Sequence, residues 1–251
     1  MIFKRAVAKL RAQNWAAIAI EIAIVTLGVL IALAAQQWAE GRAERGRMDV
    51  SMGALRDELA EHYSYAVEYR VVYPCLQAQL DRLRDRVLNS GATLNPAPAF
   101  QDEHFRYVLR QPNKVYPTNA WQAAVNDGTT QRLDPLIRRA LSGHYGRLPE
   151  IWDMTTANDA STQAFVALTH PLPIDPATRY SIVKEIEQVS GRMETMDYNN
   201  GQVIDYIRQV GMLPPAGQAR AVVARYGTYS FCKNHGLPMR SFEDAMQAVP
   251  N

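Results

Sequence analysis

The sequence predicts an all-α protein, with one N-terminal transmembrane helix followed by a helical-bundle soluble domain whose first helix is long. A single apolar run lies near the N-terminus, and a heptad-like apolar pattern begins soon after it. The rest of the chain shows helix start signals and no convincing alternating strand pattern. The predicted parts are a basic amphipathic tail at 1–14, the membrane helix at 15–38 and a helical domain at 39–251.

The composition fits a folded domain behind the apolar run. Hydrophobic residues make up 47% and charged residues 21% of the 251 positions, which is ordinary for a globular protein. The formal net charge of +2 is too small to indicate a nucleic-acid partner. The two cysteines form no CxxC pair and no zinc spacing with histidine. The sequence therefore predicts neither a metal nor a cofactor.

The apolar run from Trp15 to Trp38 predicts the membrane helix. At about 1.5 Å per residue it is about 34 Å long, which is enough to cross a hydrocarbon core of about 30 Å. Trp15 and Trp38 bracket it as interface anchors. The preceding tail suits the surface of an anionic leaflet, because it contains no acid and four cations at helical spacing: Lys4, Arg5, Lys9 and Arg11.

These charges orient the span with its N-terminus in the cytoplasm. The difference in basic residues between the two sides of the span is small, because four also follow it: Arg42, Arg45, Arg47 and Arg56. We expect a single-pass protein of a bacterial inner membrane with a periplasmic C-terminal domain. A cleaved signal peptide is the alternative, since Ala32-Leu33-Ala34 fits a cleavage site, but the run is longer than the usual apolar region of about 7 to 15 residues.

Glu21 is the most informative residue of the span, because ionisable groups inside a bilayer are costly and usually face protein or water. It is either protonated or directed to the interface, or it belongs to a helix-association surface. The second interpretation rests on a stripe that includes Glu21, Gly28 and Ala32, in which the last two form a small-xxx-small pair. Besides the lipid bilayer, the predicted partner is then a second copy or another membrane protein.

A second apolar pattern predicts a long helix with a coiled-coil-like seam. Its positions alternate at spacings of four and three: Met48, Met52, Leu55, Leu59, His62, Ala66, Tyr69, Tyr73, Leu76, Leu80, Leu83 and Val87. Pro74 predicts either a kink or a division into two helices. Gly41 and Gly46 are the only helix-breaking residues between Trp38 and this helix, so the two could be continuous.

Shorter helices are predicted after the Asn95-Pro96-Ala97-Pro98 connector. They lie near 100–110, 119–127, 135–142, 148–169, 176–210, 216–231 and 242–248. Asp134-Pro135 and Asp175-Pro176 each resemble an N-cap followed by proline at the first helical position. Ser241 and Asp244 resemble a weak capping box.

No catalytic motif is found in the sequence. It has no nucleophile elbow, phosphate-binding loop or dinucleotide fingerprint. Glu58 and His62 lie one turn apart, as metal ligands on a helix would, but His62 belongs to the seam and a packed histidine is the preferred interpretation. Several aromatic residues could line a pocket, although core packing is preferred for them: Tyr63, Tyr65, Tyr69, Tyr73, Trp121, Tyr145 and Trp152.

Cys75 and Cys232 predict a disulfide, because both fall in a domain placed in an oxidising compartment and an even count favours pairing. The bond would tie the start of one helix to the end of the penultimate one. Two unrelated buried thiols are the alternative.

The span also resembles a known family. The residues that carry the resemblance are Glu21-Ile22, Gly28 to Leu33 and Gln37 to Glu40. They are similar to the E-I…G-x-L-I-A-L…W membrane segment of bacterial single-span proteins grouped as a domain of unknown function. Trp121 to Gly128 looks like a later helical segment of that family, whereas Ala19-Ile20 departs from its usual small-Gly lead. The resemblance implies membrane anchoring, helical architecture and a recurring role for Glu21 and Gly28, and it implies no activity.

Two functions fit these observations better than an envelope enzyme. The first is a non-catalytic accessory or scaffold protein that associates through its span and helical domain with itself or a larger membrane complex. The second is an extracytoplasmic ligand-binding or sensory domain. Such a domain would act through a partner, because the cytoplasmic tail is too short to hold an output domain.

Overall fold

The computed structural model describes residues 15–101 and 106–247. It confirms the all-α class, since it is 76% helical and these described residues contain almost no strand. The predicted basic tail lies outside the described residues, and so does the side chain of Trp15. The chain divides into two compact units, Met1–Met52 and Gly53–Asn251.

The longest element is helix α1, which runs from Trp15 to Leu88. Its N-terminal part, in the first unit, has a stretch of mean hydropathy 2.6 that is covered by no other described part of the chain. This stretch is long and apolar enough to cross a membrane. Neither Gly41 nor Gly46 interrupts α1, so the span and the seam helix belong to one continuous helix.

The part of α1 from Gly53 onward forms the centre of the core of the second unit. The predicted seam is confirmed, because its positions from Leu55 to Val87 are buried apart from the half-buried Tyr73. Pro74 lies inside α1 and does not divide it. A proline has no N–H to continue the helical hydrogen-bond ladder, and α1 crosses that position with its seam still packed on the core.

The C-terminal segment binds α1 next to this proline. The N–H of Arg240 donates to the Val71 carbonyl at 2.9 Å. The Arg240 guanidinium donates to both carboxylate oxygens of Asp197, at 2.9 Å each. Arg70 lies 3.8 Å from the same carboxylate and donates to the Gln247 carbonyl at 2.7 Å. Backbone and ionic contacts therefore fix the segment from Arg240 to Gln247 on α1.

A short β-hairpin replaces the helix predicted at 100–110. Strand β1, Phe100–Gln101, pairs antiparallel with strand β2, Arg106–Tyr107. The aromatic residue of each strand packs against Phe231, with ring centroids 5.0 and 6.0 Å away. The helix prediction was wrong here because a contact distant in sequence, rather than local propensity, fixes this segment.

The remaining helices are α2 Asn119–Asn126, α3 Thr129–Arg132, α4 Pro135–Phe165, α5 Pro176–Gln209, α6 Ala216–Val223, α7 Gly227–Asn234 and α8 Phe242–Ala245, with a 3₁₀ turn Val166–Thr169 after α4. The side chains of Asp134, Asp175 and Ser241 accept hydrogen bonds from the first turns of α4, α5 and α8, which confirms the predicted caps. The helix predicted at 216–231 is instead divided into α6 and α7.

Helix α4 is continuous where two helices, 135–142 and 148–169, were predicted. Gly143 lies between them because α4 packs closely on α5: a Cβ added there would be 3.0 Å from the ring of Tyr206. Pro149 also lies inside α4 and removes one hydrogen bond from it. The packing of α4 along α5 outweighs the helix-breaking tendencies of Gly143 and Pro149.

Cys75 and Cys232 are bonded as predicted, with their Cα atoms 6.0 Å apart. Both residues are fully buried. Cys232 lies near the end of the penultimate helix, α7, but Cys75 lies inside α1 rather than at a helix start, because Pro74 begins no new helix. The bond joins positions 157 residues apart.

Replacing Cys75 and Cys232 together by serine is expected to lower the free energy of unfolding by up to about 5 kcal/mol, because the bond closes a long loop in the unfolded chain. Urea unfolding of the full chain in mild detergent measures this loss. Reductant should destabilise the wild type and leave the double variant unchanged. Two alkylated thiols on unreduced, denatured wild-type protein would contradict the bond.

Candidate functional site

The residues predicted for helix association are exposed on the first unit. Glu21, Gly28 and Ala32 are all exposed, and a Cβ added at Gly28 would meet no neighbouring atom of the described chain within 4 Å. At about 100° per residue, the three positions fall within roughly 40° of the helix circumference. Trp38 is 65% exposed, and the Arg42 guanidinium lies 5.9 Å from the centre of its ring. Glu21, Gly28 and Ala32 are called the span stripe below.

A buried pair of histidines lies in the core of the second unit. Nδ1 of His62 is 2.8 Å from Nε2 of His144, and Nε2 of His62 is 2.7 Å from the Pro117 carbonyl oxygen. A carbonyl can only accept, so Nε2 of His62 carries the proton and His144 Nε2 donates to His62 Nδ1. The preferred interpretation of His62 as a packed residue is confirmed, since it is 0% exposed.

Both histidines are neutral. Burial lowers the pKa of His62 to about 4, against a smaller opposing effect of its hydrogen bond to Pro117. Burial and, to a smaller extent, the neighbouring His62 lower the pKa of His144 to about 3. A general base must reach the proton that it abstracts, whereas His144 is also 0% exposed. The pair therefore joins α1 to α4 and to the segment before α2.

Glu58, one turn before His62, caps helix α2 from outside that helix. Its Oε2 accepts from the N–H of Ala120 at 2.8 Å, and its Oε1 accepts from the N–H of Trp121 at 3.2 Å. The hydroxyl of Tyr145 donates to the same Oε1 at 2.6 Å. A carboxylate at this position satisfies free N–H groups and interacts favourably with the helix dipole. Both carboxylate oxygens of Glu58 therefore bind the start of α2 and fix it against α1.

Glu68, further along the same helix, is less well satisfied. It is 1% exposed. Burial raises the pKa of Glu68 to about 7, although Lys114, the Tyr229 N–H and Arg110 favour its charged form. The Lys114 ammonium lies 3.7 Å from Oε2. Glu68 is therefore a buried carboxylate whose charged form depends on two nearby cations and on an N–H of the first turn of α7.

A groove of about 670 Å³ lies next to the histidine pair. Trp121 and Tyr145 stack in its wall, with ring centroids 4.7 Å apart and an angle of 7° between the rings. Trp152 also lines the groove and is 48% exposed. The other aromatic residues considered for a pocket are buried or half-buried in the second unit: Tyr63, Tyr65, Tyr69 and Tyr73. The groove mainly offers aromatic packing surface.

Glu58 and His62 stand out in the sequence by their spacing, whereas His144 and Glu68 do not. His144 gives no local signal, because its partner lies 82 residues away. Glu68 is one acid among many in the polar positions of a long helix, and only burial distinguishes it. The sequence shows only that Glu68 is an acid outside the apolar positions of a predicted helix, and this does not reveal which acids other elements cover.

No family model, curated protein or solved structure significantly matches this chain. The resemblance to the single-span family therefore rests only on the sequence segments given above, the span and Trp121 to Gly128. The roles of Glu58, His62, His144 and Glu68 are defined by their contacts.

The free energy of unfolding is expected to rise with pH between about 4.5 and 6.5. The ordinary pKa of 6.5 for His62 and His144 falls to about 4 and about 3 on folding, so the unfolded chain binds two more protons in this window. Glu68 acts in the opposite direction, because its pKa rises from 4.5 to about 7 on folding. In this window the unfolded chain therefore binds one more proton than the folded chain. The free energy of unfolding then rises by about 1.4 kcal/mol per pH unit.

Glu68→Gln removes the proton that Glu68 binds on folding. The free energy of unfolding of this variant should therefore rise with pH about twice as steeply as that of the wild type. Urea unfolding of the full chain in mild detergent, repeated across this pH window, measures both slopes. Glu194→Gln is the matched control, because Glu194 is exposed, and it should keep the wild-type slope. Equal slopes for Glu68→Gln and the wild type would show that burial does not shift the Glu68 pKa in this way.

Proposed function

We propose that this chain is a non-catalytic, membrane-anchored accessory protein that associates through its span with itself or with a larger membrane complex. The observation that carries the proposal is Glu21, a carboxylate in an apolar helix that no other described part of the chain covers. Placing a charged group within the bilayer costs about 2.5 to 3.5 kcal/mol on insertion scales, and such groups usually face protein or water. A partner helix would supply that environment.

The span stripe offers a surface for such a helix. Gly28 and Ala32 carry no bulky side chain, so a second backbone can approach closely at these positions. Close approach would bring polar groups of the partner within reach of Glu21, about 10 Å along the helix axis from Gly28. The resemblance of the span to the single-span family supports a recurring role for Glu21 and Gly28.

The buried acid-base groups support a role without catalysis. Glu58 accepts hydrogen bonds from α2 and Tyr145, and the two histidines bond to each other and to the Pro117 carbonyl. These contacts connect elements of the fold. In this proposal the helical domain acts through binding rather than through catalysis.

We place the protein in a bacterial inner membrane, with the N-terminus in the cytoplasm and the helical domain in the periplasm. The basic residues of the tail support this orientation by the positive-inside rule. The bond between Cys75 and Cys232 supports it independently, because structural disulfides persist in oxidising compartments.

Gly28→Leu and Glu21→Ala are each expected to weaken association of the span by at least about threefold. The first blocks close helix approach and the second removes an interhelical polar contact, which is worth about 0.6 kcal/mol on average. An in-membrane association assay on the full chain measures the change. Recovery of co-purifying proteins in mild detergent reports a heterologous partner.

Ala23→Leu is the matched control, because it places the same leucine side chain on the opposite face of the helix, about 200° from Glu21. It should associate like the wild type. Wild-type association and partner recovery by both stripe variants would disprove a role for the stripe.

A reporter fused after Asn251 that is active only in the exported compartment should be active. The tail before the span should keep the N-terminus inside, so the fused C-terminus follows the domain across the membrane. Deleting residues 15–38 should abolish the signal. Activity of a cytoplasm-only reporter at the same fusion point would reverse the topology.

A further inference from the structure

A cavity of about 550 Å³ lies in the second unit, where the C-terminal end of α1 meets the Asn95-Pro96-Ala97-Pro98 connector, the hairpin and α7. Its volume is within the range of small-molecule sites, about 300 to 1,000 Å³. It is distinct from the aromatic groove, because the two share no lining residue. We call it the hairpin cavity.

One side of the hairpin cavity is apolar and aromatic. Leu83, Val108 and Leu237 line it and belong to the core of the second unit. The rings of Phe100 and His235 also line it, with their centroids 5.1 Å apart and an angle of 81° between the rings. This side therefore offers an apolar ligand both burial from water and edge-to-face ring contacts.

Contacts within the chain hold the aromatic side in place. Nδ1 of His235 lies 2.9 Å from the Phe231 carbonyl oxygen, and because a carbonyl can only accept, Nδ1 is the donor. Cys232, the residue after Phe231, is bonded to Cys75 of α1. A wall that is already fixed loses little conformational entropy when a ligand binds to it.

The other side of the hairpin cavity carries two arginines of α1. Arg82 and Arg86 both line it and lie one helical turn apart. Arg82 is exposed, and its guanidinium makes no hydrogen bond or ion pair with the residues that the structure describes. Arg86 is half-buried and donates from Nη1 to the Pro96 carbonyl at 2.9 Å. Guanidinium groups bind carboxylates through parallel N–H donors, so this side favours an anion.

Asp85 limits the negative charge that this side accepts. It also lines the cavity, and its Oδ1 lies 3.6 Å from Nε of Arg84, which does not line it. Arg84 neutralises Asp85 only in part, because it also pairs with Asp81 at 2.9 Å. Two arginines therefore face one partly neutralised acid, and this balance favours a ligand with one negative charge over a ligand with two.

We propose that the hairpin cavity binds an amphipathic monocarboxylate, whose apolar body lies against Phe100 and His235 and whose carboxylate pairs with Arg82 and Arg86. An apolar amine would be repelled by the two arginines. A small polar acid would leave the apolar side uncovered. This inference concerns the helical domain and is independent of the association proposed for the span.

The test is thermal unfolding of the full chain in mild detergent with 4-phenylbutyrate or octanoate, which carry the same charge on an aromatic and an alkyl body. At least one of them should raise Tm by about 3 °C at roughly ten times its Kd. The larger shift identifies the preferred body. 4-Phenylbutylamine lacks the negative charge and acetate lacks the apolar body, so both should leave Tm unchanged at the same concentration. No shift with either carboxylate, or an equal shift with either control, would overturn the proposal.

Two variants at exposed positions separate the two sides of the cavity. Arg82→Gln removes one positive charge, and His235→Ala removes one ring. Each should weaken binding of the stabilising carboxylate at least about threefold, as measured by the concentration dependence of Tm. Arg56→Gln is the matched control, because Arg56 is also exposed on α1 but lies about 39 Å from Arg82 along the helix axis. It should bind like the wild type, whereas unchanged binding by Arg82→Gln or His235→Ala would overturn the assignment.

Discussion

Polar groups of α1 that are shut off from water determine where the rest of the second unit lies. An unpaired buried polar group costs about 1 to 3 kcal/mol, and a charged one costs more. His62 therefore requires the Pro117 carbonyl and His144, and Glu58 requires the start of α2. The apolar seam supplies the burial that drives folding. These polar contacts decide which element covers which part of the seam.

The features that could be predicted depend on residues close together in sequence. The span follows from an apolar run between Trp15 and Trp38, the long helix from a regular spacing of apolar positions, and the starts of α4, α5 and α8 from their caps. The Cys75 to Cys232 bond is long-range, yet it was predictable because the chain has only two cysteines. Each of these predictions depends either on a local sequence pattern or, for the disulfide, on the fact that each cysteine has only one possible partner in the chain.

The features that could not be predicted depend on distant partners. The hairpin is fixed by Phe231, and Gly143 is a close contact with Tyr206 rather than a helix break. Nothing near Glu58 in sequence shows that it caps α2, and nothing near Glu68 shows that it is buried beside Lys114. Site residues of this kind become recognisable only when the packing of several elements is known.

The C-terminal contacts of α1 bear on how the chain folds as it is made. Val71 receives its hydrogen bond from Arg240, Cys75 bonds to Cys232, and Arg70 binds the carbonyl of Gln247. The last two pairs are separated by 157 and 177 residues of chain. Contacts of such long sequence separation form slowly. This stretch of α1 therefore waits for partners that are synthesised much later than the helix itself, and its apolar side is exposed to aggregation during that interval.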